Sequence, residues 1–214
     1  MVRKALARET PASSAVESNS AVSLPELRQQ ARHCRACPLW ANATQTVFGE
    51  GNARASIMLV GEQPGDQEDL SGHVFVGPAG QLLNRALDAA GVDRSTLYIT
   101  NAVKHFKFEP RGKRRLHKKP SDSEIDICNQ WLQRELASVK PAVIVAMGAT
   151  AARGIFHRSM AIGTNRGRIL RHDDGTRVII TVHPSYLLRV RGPDRDAQYA
   201  LFLADLKLAA KQVR

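Results

Sequence analysis

Short apolar runs of strand length, separated by helix signals, constrain this chain more than anything else in it. Ser56-Ile-Met-Leu-Val60 ends at Gly61, and Leu97-Tyr-Ile-Thr-Asn101 ends in an amide. Ala142-Val-Ile-Val-Ala-Met147 is apolar throughout, and Arg177 to Val182 forms the last run. Runs this short and apolar suit strands buried on both faces. Ser23-Leu-Pro-Glu26 is a capping box with proline in the first turn, which predicts a helix to about His33. Pro78 to Ala90 reads as a helix closed by Gly91. Ser121-Asp-Ser-Glu124 is a second capping box and opens a helix to about Ser138. Helices are also expected from Ala149 to Phe156 and from about Asp194 to Lys211. The turn signal HDDGT (172–176) predicts that Arg168–Arg171 and Arg177–Val182 pair as a hairpin. Strands alternating with helices define an α/β fold, a parallel sheet covered on both faces.

In such folds ligands collect at the carboxyl ends of the strands. The segments to question are therefore GEQPGD (61–66), Asn101, HPSYLLR (183–189) and the basic stretch that follows Asn101. That stretch, KHFKFEPRGKRRLHKK (104–119), sets eight Lys and Arg against one Glu, a net +7. The whole chain carries +11, a surplus that favours a polyanionic partner, nucleic acid before membrane. His117 lies among the cations, where phosphate binding alone has no need of an imidazole.

The 214 residues, 43% of them hydrophobic, suffice for one domain with its own core, and the chain is expected to be a monomer. Residues 1–22, rich in Ala, Ser, Thr and Glu, are expected to form a disordered leader, with 23–214 as the folded domain. No apolar run reaches the roughly 18 residues of a membrane span, and the start lacks a signal-peptide layout. Cys34, Cys37 and Cys128 are an odd count with one Cys-x-x-Cys pair. That points to metal or redox chemistry in the cytoplasm rather than to a secreted disulfide framework.

GEQPGDQED, GHVFVGPAG, TNAVKHFKF and HPSYLLR, in this order, resemble the motifs of the uracil-DNA glycosylase superfamily, in its iron–sulfur-containing branch. The insertion GKRRLHK is similar to that of a narrower group, UdgX. The resemblance covers about residues 24 to 212. It implies a three-layer α/β/α sandwich around a four-stranded, mainly parallel central sheet, excising uracil from DNA, with repair, protection or signalling of uracil lesions left open as its duty. The substrate would be uracil-containing DNA, single-stranded first and double-stranded second. In UdgX proteins the loop histidine ends bonded to the sugar.

Breaking the bond between uracil and sugar C1′ releases an anionic base and leaves an oxocarbenium-like sugar. The resemblance assigns Phe75 to the uracil face, Asn101 to its O4 and N3 edge, and His183 to O2 and the departing anion. Leu187 would wedge into the duplex where the base left, with Leu188 as a substitute. Gly61 and Asp66, the ends of the GEQPGD loop, are counted with the substrate-binding residues. Gln63 cannot be a general base but can orient one, or a water. The cations around His117 disfavour an imidazolium, so the ring is expected to be neutral and nucleophilic. Glu62 is the candidate to orient His117 and take its remaining proton. Lys113, Arg114, Arg115, Lys118 and Lys119 would hold flanking phosphates. The branch places a cysteine where this chain has His105, so Cys34, Cys37, His105 and Cys128 are expected around a [4Fe–4S] cluster; a Cys₃His set also suits zinc. Two other readings stay open: a turnover glycosylase in which His117 only binds phosphate, and a non-catalytic, metal-stabilised nucleic-acid-binding protein.

Overall fold

The computed structural model describes residues 22–213; the expected leader falls almost entirely outside them. Six strands form one sheet in the order β1-β3-β2-β6-β8-β7. Its centre is the four apolar runs: β2 (Ile57–Gly61), β3 (Tyr98–Asn101), β6 (Val143–Met147) and β8 (Arg177–Thr181), all parallel. The four-stranded parallel core is thus present, extended at each edge by one short antiparallel strand. These are β1 (Glu50–Gly51), paired with β3, and β7 (Ile169–Arg171), paired with β8 in the expected hairpin. Edge strands of two and three residues offer little unpaired backbone to another chain.

Strand periodicity sorts the core into two layers. Ile57, Leu59, Val143, Val145 and Ile179 face α3 (Pro78–Ala90) and α8 (Asp194–Lys211). Met58, Val60, Ile144, Ala146 and Val178 face α4 (Asp122–Val139) and α5 (Ala149–Phe156). Both capping boxes form. Ser23 N donates to Glu26 at 2.9 Å ahead of α1 (Leu24–Ala31), and Ser121 N donates to Glu124 at 2.6 Å ahead of α4. A third apolar cluster joins α1 to α4 through Leu27, Phe48, Ile125 and Trp131, and holds Cys37 and Cys128.

The stretch expected as a basic loop is instead an antiparallel ribbon, β4 (Phe108–Arg111) with β5 (Arg114–His117), paired Phe108 to His117. HPSYLLR, expected only as a post-strand segment, forms a short helix, α7 (Pro184–Arg189). Two further short helices are α2 (Asp66–Ser71) and α6 (Ile162–Asn165). Among the described residues no helix is long and apolar enough to cross a membrane.

Candidate functional site

At the carboxyl edge of the sheet lies a chamber of about 330 Å³, lined by Phe75, Asn101, His117 and His183 among others. Gly61 pairs with Asn101 across the ends of β2 and β3. Any side chain at Gly61 would run into Asn101 Oδ1 and the Phe75 ring, so only glycine lets that ring and amide meet there. Phe75 itself adopts φ 54°, costly for a bulky residue, and tilts against His183 with ring centroids 5.9 Å apart. Gly80 makes this turn possible, because a Cβ there would collide with the Phe75 carbonyl.

Two buried polar atoms in this chamber have no partner in the protein: Asn101 Oδ1 and His183 Nε2. Unsatisfied buried groups cost about 1–3 kcal/mol each, so a pair of them beside an aromatic face reads as a binding surface awaiting a polar ligand. Their chemistry can be assigned. Burial above all lowers the His183 imidazole to about 4, so it is neutral near pH 7. Its Nδ1 accepts the Ser185 backbone N–H at 3.2 Å, which puts the ring proton on Nε2, as a donor. Asn101 Oδ1 is an acceptor. The chamber therefore offers one fixed donor and one acceptor.

Because folded His183 refuses a proton that the unfolded chain takes up near 6.5, stability is expected to fall as pH drops from there towards about 4. Melting temperatures between about pH 7 and about pH 5 check this; the slope should be shallower in His183→Asn, and equal slopes would place the pH dependence elsewhere.

His117 stands at the chamber's mouth. Strand alternation puts Arg115 and His117 on one face of the ribbon, and both reach the body, Arg115 at Asp66 and Asp69 and the half-exposed His117 at Glu62. His117 Nε2 lies 3.2 Å from Glu62 Oε1, and Glu62 Oε2 accepts from Thr150 at 2.9 Å. Burial would raise the Glu62 carboxyl, but bonds to His117 and Thr150 outweigh it and hold the group below the usual carboxylate range. The group that the His117 ring meets at this distance is thus a carboxylate.

Several expected roles change with the structure. Arg115 is no phosphate holder: its Nε donates to Asp66 at 2.6 Å, its NH1 to Asp69 at 2.6 Å, and its guanidinium lies over the rings of Phe106 and Phe108. Asp66 is accordingly its partner and does not line the chamber. Gln63 is not free to orient a water. Its amide nitrogen donates to the carbonyls of Lys107 at 3.2 Å and Lys118 at 2.9 Å, and its oxygen accepts from Lys107 N at 3.1 Å. Gln63 and Arg115 together fasten the ribbon, and so His117, to the body. Leu187 packs in the core at 1% exposure and cannot wedge into a duplex, whereas Leu188 is 42% exposed. Lys113 and Arg114 are exposed at the ribbon's tip.

Sequence reasoning missed the supports. Glu68 accepts from Gly65 N at 3.0 Å and Gly77 N at 2.7 Å, tying the two loops around the chamber together. An acid three residues into a helix was the signal available. Thr150 and Ser185 gave none, since each acts on a residue identified only by its place in space.

Cys34, Cys37 and Cys128 are free thiols in one neighbourhood. Burial pushes Cys128 up to about 12; Lys104 opposes this, while Cys37 and Cys34 add to it. Trp131 Nε1 donates to Cys34 Sγ at 3.1 Å, and Lys104 N donates to Cys128 Sγ at 3.3 Å. Next to Lys104, His105 is buried. The Thr46 hydroxyl spends its proton on the Ala31 carbonyl at 3.0 Å, so at 2.9 Å from His105 Nε2 it can only accept. The imidazole proton is then on Nε2, leaving Nδ1 a buried lone pair without a partner. Among the described residues no three His, Cys, Asp or Glu side chains stand close enough to hold one metal ion. A cubane cluster asks for a wider set, each ligand on a different iron, and three thiols with one orphaned imidazole nitrogen fit that chemistry.

The family profile described as the uracil DNA glycosylase superfamily matches residues 48–207. The chain belongs to that superfamily. A type-4 uracil-DNA glycosylase of Thermotoga maritima is 40% identical over 164 residues, 76% of this chain and 82% of the relative. One of Archaeoglobus fulgidus is 36% identical over 173 residues, 78% of this chain and 83% of the relative. A type-5 uracil-DNA glycosylase of Pyrobaculum aerophilum is 28% identical over 181 residues, 77% of this chain and 76% of the relative.

Proposed function

We propose that this chain excises uracil from DNA and, in the manner of the UdgX group, ends covalently attached to the abasic sugar through His117. The observation that carries the reading is the pair of orphaned atoms, Asn101 Oδ1 and His183 Nε2, in a base-sized chamber walled by Phe75. A flipped uracil stacks on Phe75. Its N3–H donates to Asn101 Oδ1, and its O2 accepts from His183 Nε2–H. Cytosine presents a lone pair at N3 in place of the proton, so in the same pose acceptor faces acceptor.

As the bond from C1′ to the base breaks, the electron pair leaves with uracil, whose charge gathers at O2 against the His183 donor. One ring nitrogen of His117 bonds to C1′, and the other passes its proton to the Glu62 carboxylate. The product is a neutral N-alkylimidazole, a poor leaving group. Held at the chamber mouth, His117 competes with water through effective molarity.

Cys34, Cys37, Cys128 and His105 Nδ1 would hold a [4Fe–4S] cluster. When bound, the cluster supplies a cross-link between the α1 end, the root of the ribbon and α4, and takes no part in bond breaking. Purified protein is expected to be brown, with broad absorbance near roughly 400 nm and iron in excess of zinc; a colourless protein with one zinc per chain would replace the cluster with the smaller metal site.

Uracil-containing single-stranded DNA mixed with the protein and run on a denaturing gel tests the function. A band that survives heat and detergent is expected. Abasic product in excess of protein would make it a turnover glycosylase, and neither product would leave a binding protein.

A further inference from the structure

A second chamber, of about 800 Å³, opens beside the base-sized one. Gln63, His117, His183, Ser185 and Arg189 line both, so the two share a wall at which His117 stands. Glu62, His117 and His183 border the larger one, but the base itself occupies the smaller, and the rest of the larger chamber has no part in the uracil chemistry. Its outer sides are apolar and come from three helices: Ile162 of α6, Tyr186 of α7 and Leu201 of α8. Tyr186 is 40% exposed and Leu201 50%, so a ring and an isobutyl group of this lining face open space. One part of the polar wall is held by bonds within the protein. Arg166 Nε donates to Asp205 at 2.8 Å and its NH1 to Gln198 at 2.8 Å, and Asp205 accepts also from Thr181 at 2.6 Å. Lys119 and Arg189, both exposed, also line it.

We propose that this chamber takes the nucleotide adjacent to the target uridine on the same strand, in unpaired form. The inference rests on the uracil-excision reading. The base lies against Tyr186, Ile162 and Leu201, and its phosphate faces Lys119 and Arg189. Three observations select this occupant. The shared wall means that a strand whose sugar sits at His117 leaves directly into the larger chamber. The volume is more than twice that of the chamber sized for one base, room for a base with its sugar. An apolar patch with one aromatic ring, beside the exposed cations Lys119 and Arg189 in an otherwise polar lining, matches a nucleotide and matches a peptide or a second copy of this basic chain less well. A neighbour held in a base pair is not available to enter, so the chamber favours single-stranded or locally opened DNA.

The test measures single-turnover uracil loss at subsaturating protein from three single-stranded oligonucleotides. One has every base, one has an abasic spacer just 5′ of the uridine, and one has it just 3′. One spacer is expected to slow the reaction about tenfold, the range of stacking on an aromatic side chain, while the other leaves it near the full rate. Tyr186→Ala and Leu201→Glu should lower the rate on the complete oligonucleotide to that of the slow spacer substrate and make the reaction indifferent to that spacer. Both positions are exposed, so neither variant threatens the fold. Equal rates on all three substrates, or variants that still respond to the spacer as the wild type does, would overturn the subsite and leave the chamber to a peptide or second-copy occupant. No uracil loss from any oligonucleotide would overturn the glycosylase reading, and the subsite with it.

Discussion

Replacing His117 with alanine is expected to abolish the heat- and detergent-resistant DNA adduct and to let abasic product accumulate beyond the amount of protein. The variant loses the proposed nucleophile but keeps the residues proposed to stabilise the leaving base. Phe75, Asn101 and His183 are set by β3, by the α7 cap and by the turn over Gly80, none of which rests on the ribbon's last residue. Water can then reach C1′ where the imidazole stood. Its effective concentration is lower than that of a positioned ring by several orders of magnitude, so product forms more slowly than the wild-type adduct but turns over. Glu62→Gln separates the two roles of the pair. An amide can still accept from His117 but cannot take its proton, so the adduct should form slowly and revert as the charged imidazolium leaves again. Persistence of the adduct in His117→Ala would mean another nucleophile, and the account of the ribbon would fail with it.

The strand ends and helix caps were legible because both are local. A capping box spans four residues, and an apolar run long enough for a strand but too short for a helix leaves few alternatives. The ribbon was not. Residues 108–117 carry Pro110, Gly112 and a preponderance of charge, which no strand propensity favours. What holds them extended is long-range: the Gln63 amide bridging Lys107 and Lys118, and Arg115 reaching Asp66 and Asp69. Charge counting assigned Arg115 to phosphate because the acids it pairs with lie more than forty residues away. Leu187 illustrates a different failure. Neighbours on a helix are about 100° apart, so choosing between Leu187 and Leu188 required knowing that α7 is helical and which face it buries. The orphaned atoms of Asn101 and His183 are visible only in three dimensions, since an unmade bond leaves no mark on a sequence.

The largest expected loss of stability lies behind the chamber, at Lys104. Its Nζ is buried and donates to Glu135 at 2.6 Å, to Thr100 at 2.7 Å and to the Asn101 carbonyl at 2.6 Å. Glu135 accepts in turn from Gly49 N at 2.9 Å and from the Tyr98 hydroxyl at 3.0 Å, and burial together with Glu135 pushes that hydroxyl up so that it remains a donor. Every polar atom of the network is employed, so the pair withstands its own desolvation. Lys104→Met removes one charge and leaves a buried carboxylate without a counter-ion, a change that costs about 3–5 kcal/mol. For a domain of this size that lowers the melting temperature by about 6–20 °C. Lys104→Met combined with Glu135→Leu should recover part of the loss, because the uncompensated charge is gone although the bonds to Gly49 and Tyr98 are not restored. The same ammonium fixes the Asn101 carbonyl, so in the single variant the amide proposed to read the base loosens, and affinity for uracil-containing DNA should weaken more than the rate at saturation. Thermal melts of the two variants beside the wild type decide the matter. A single variant as stable as wild type, or a double variant no better than the single, would mean that packing rather than paired charge holds this part of the core.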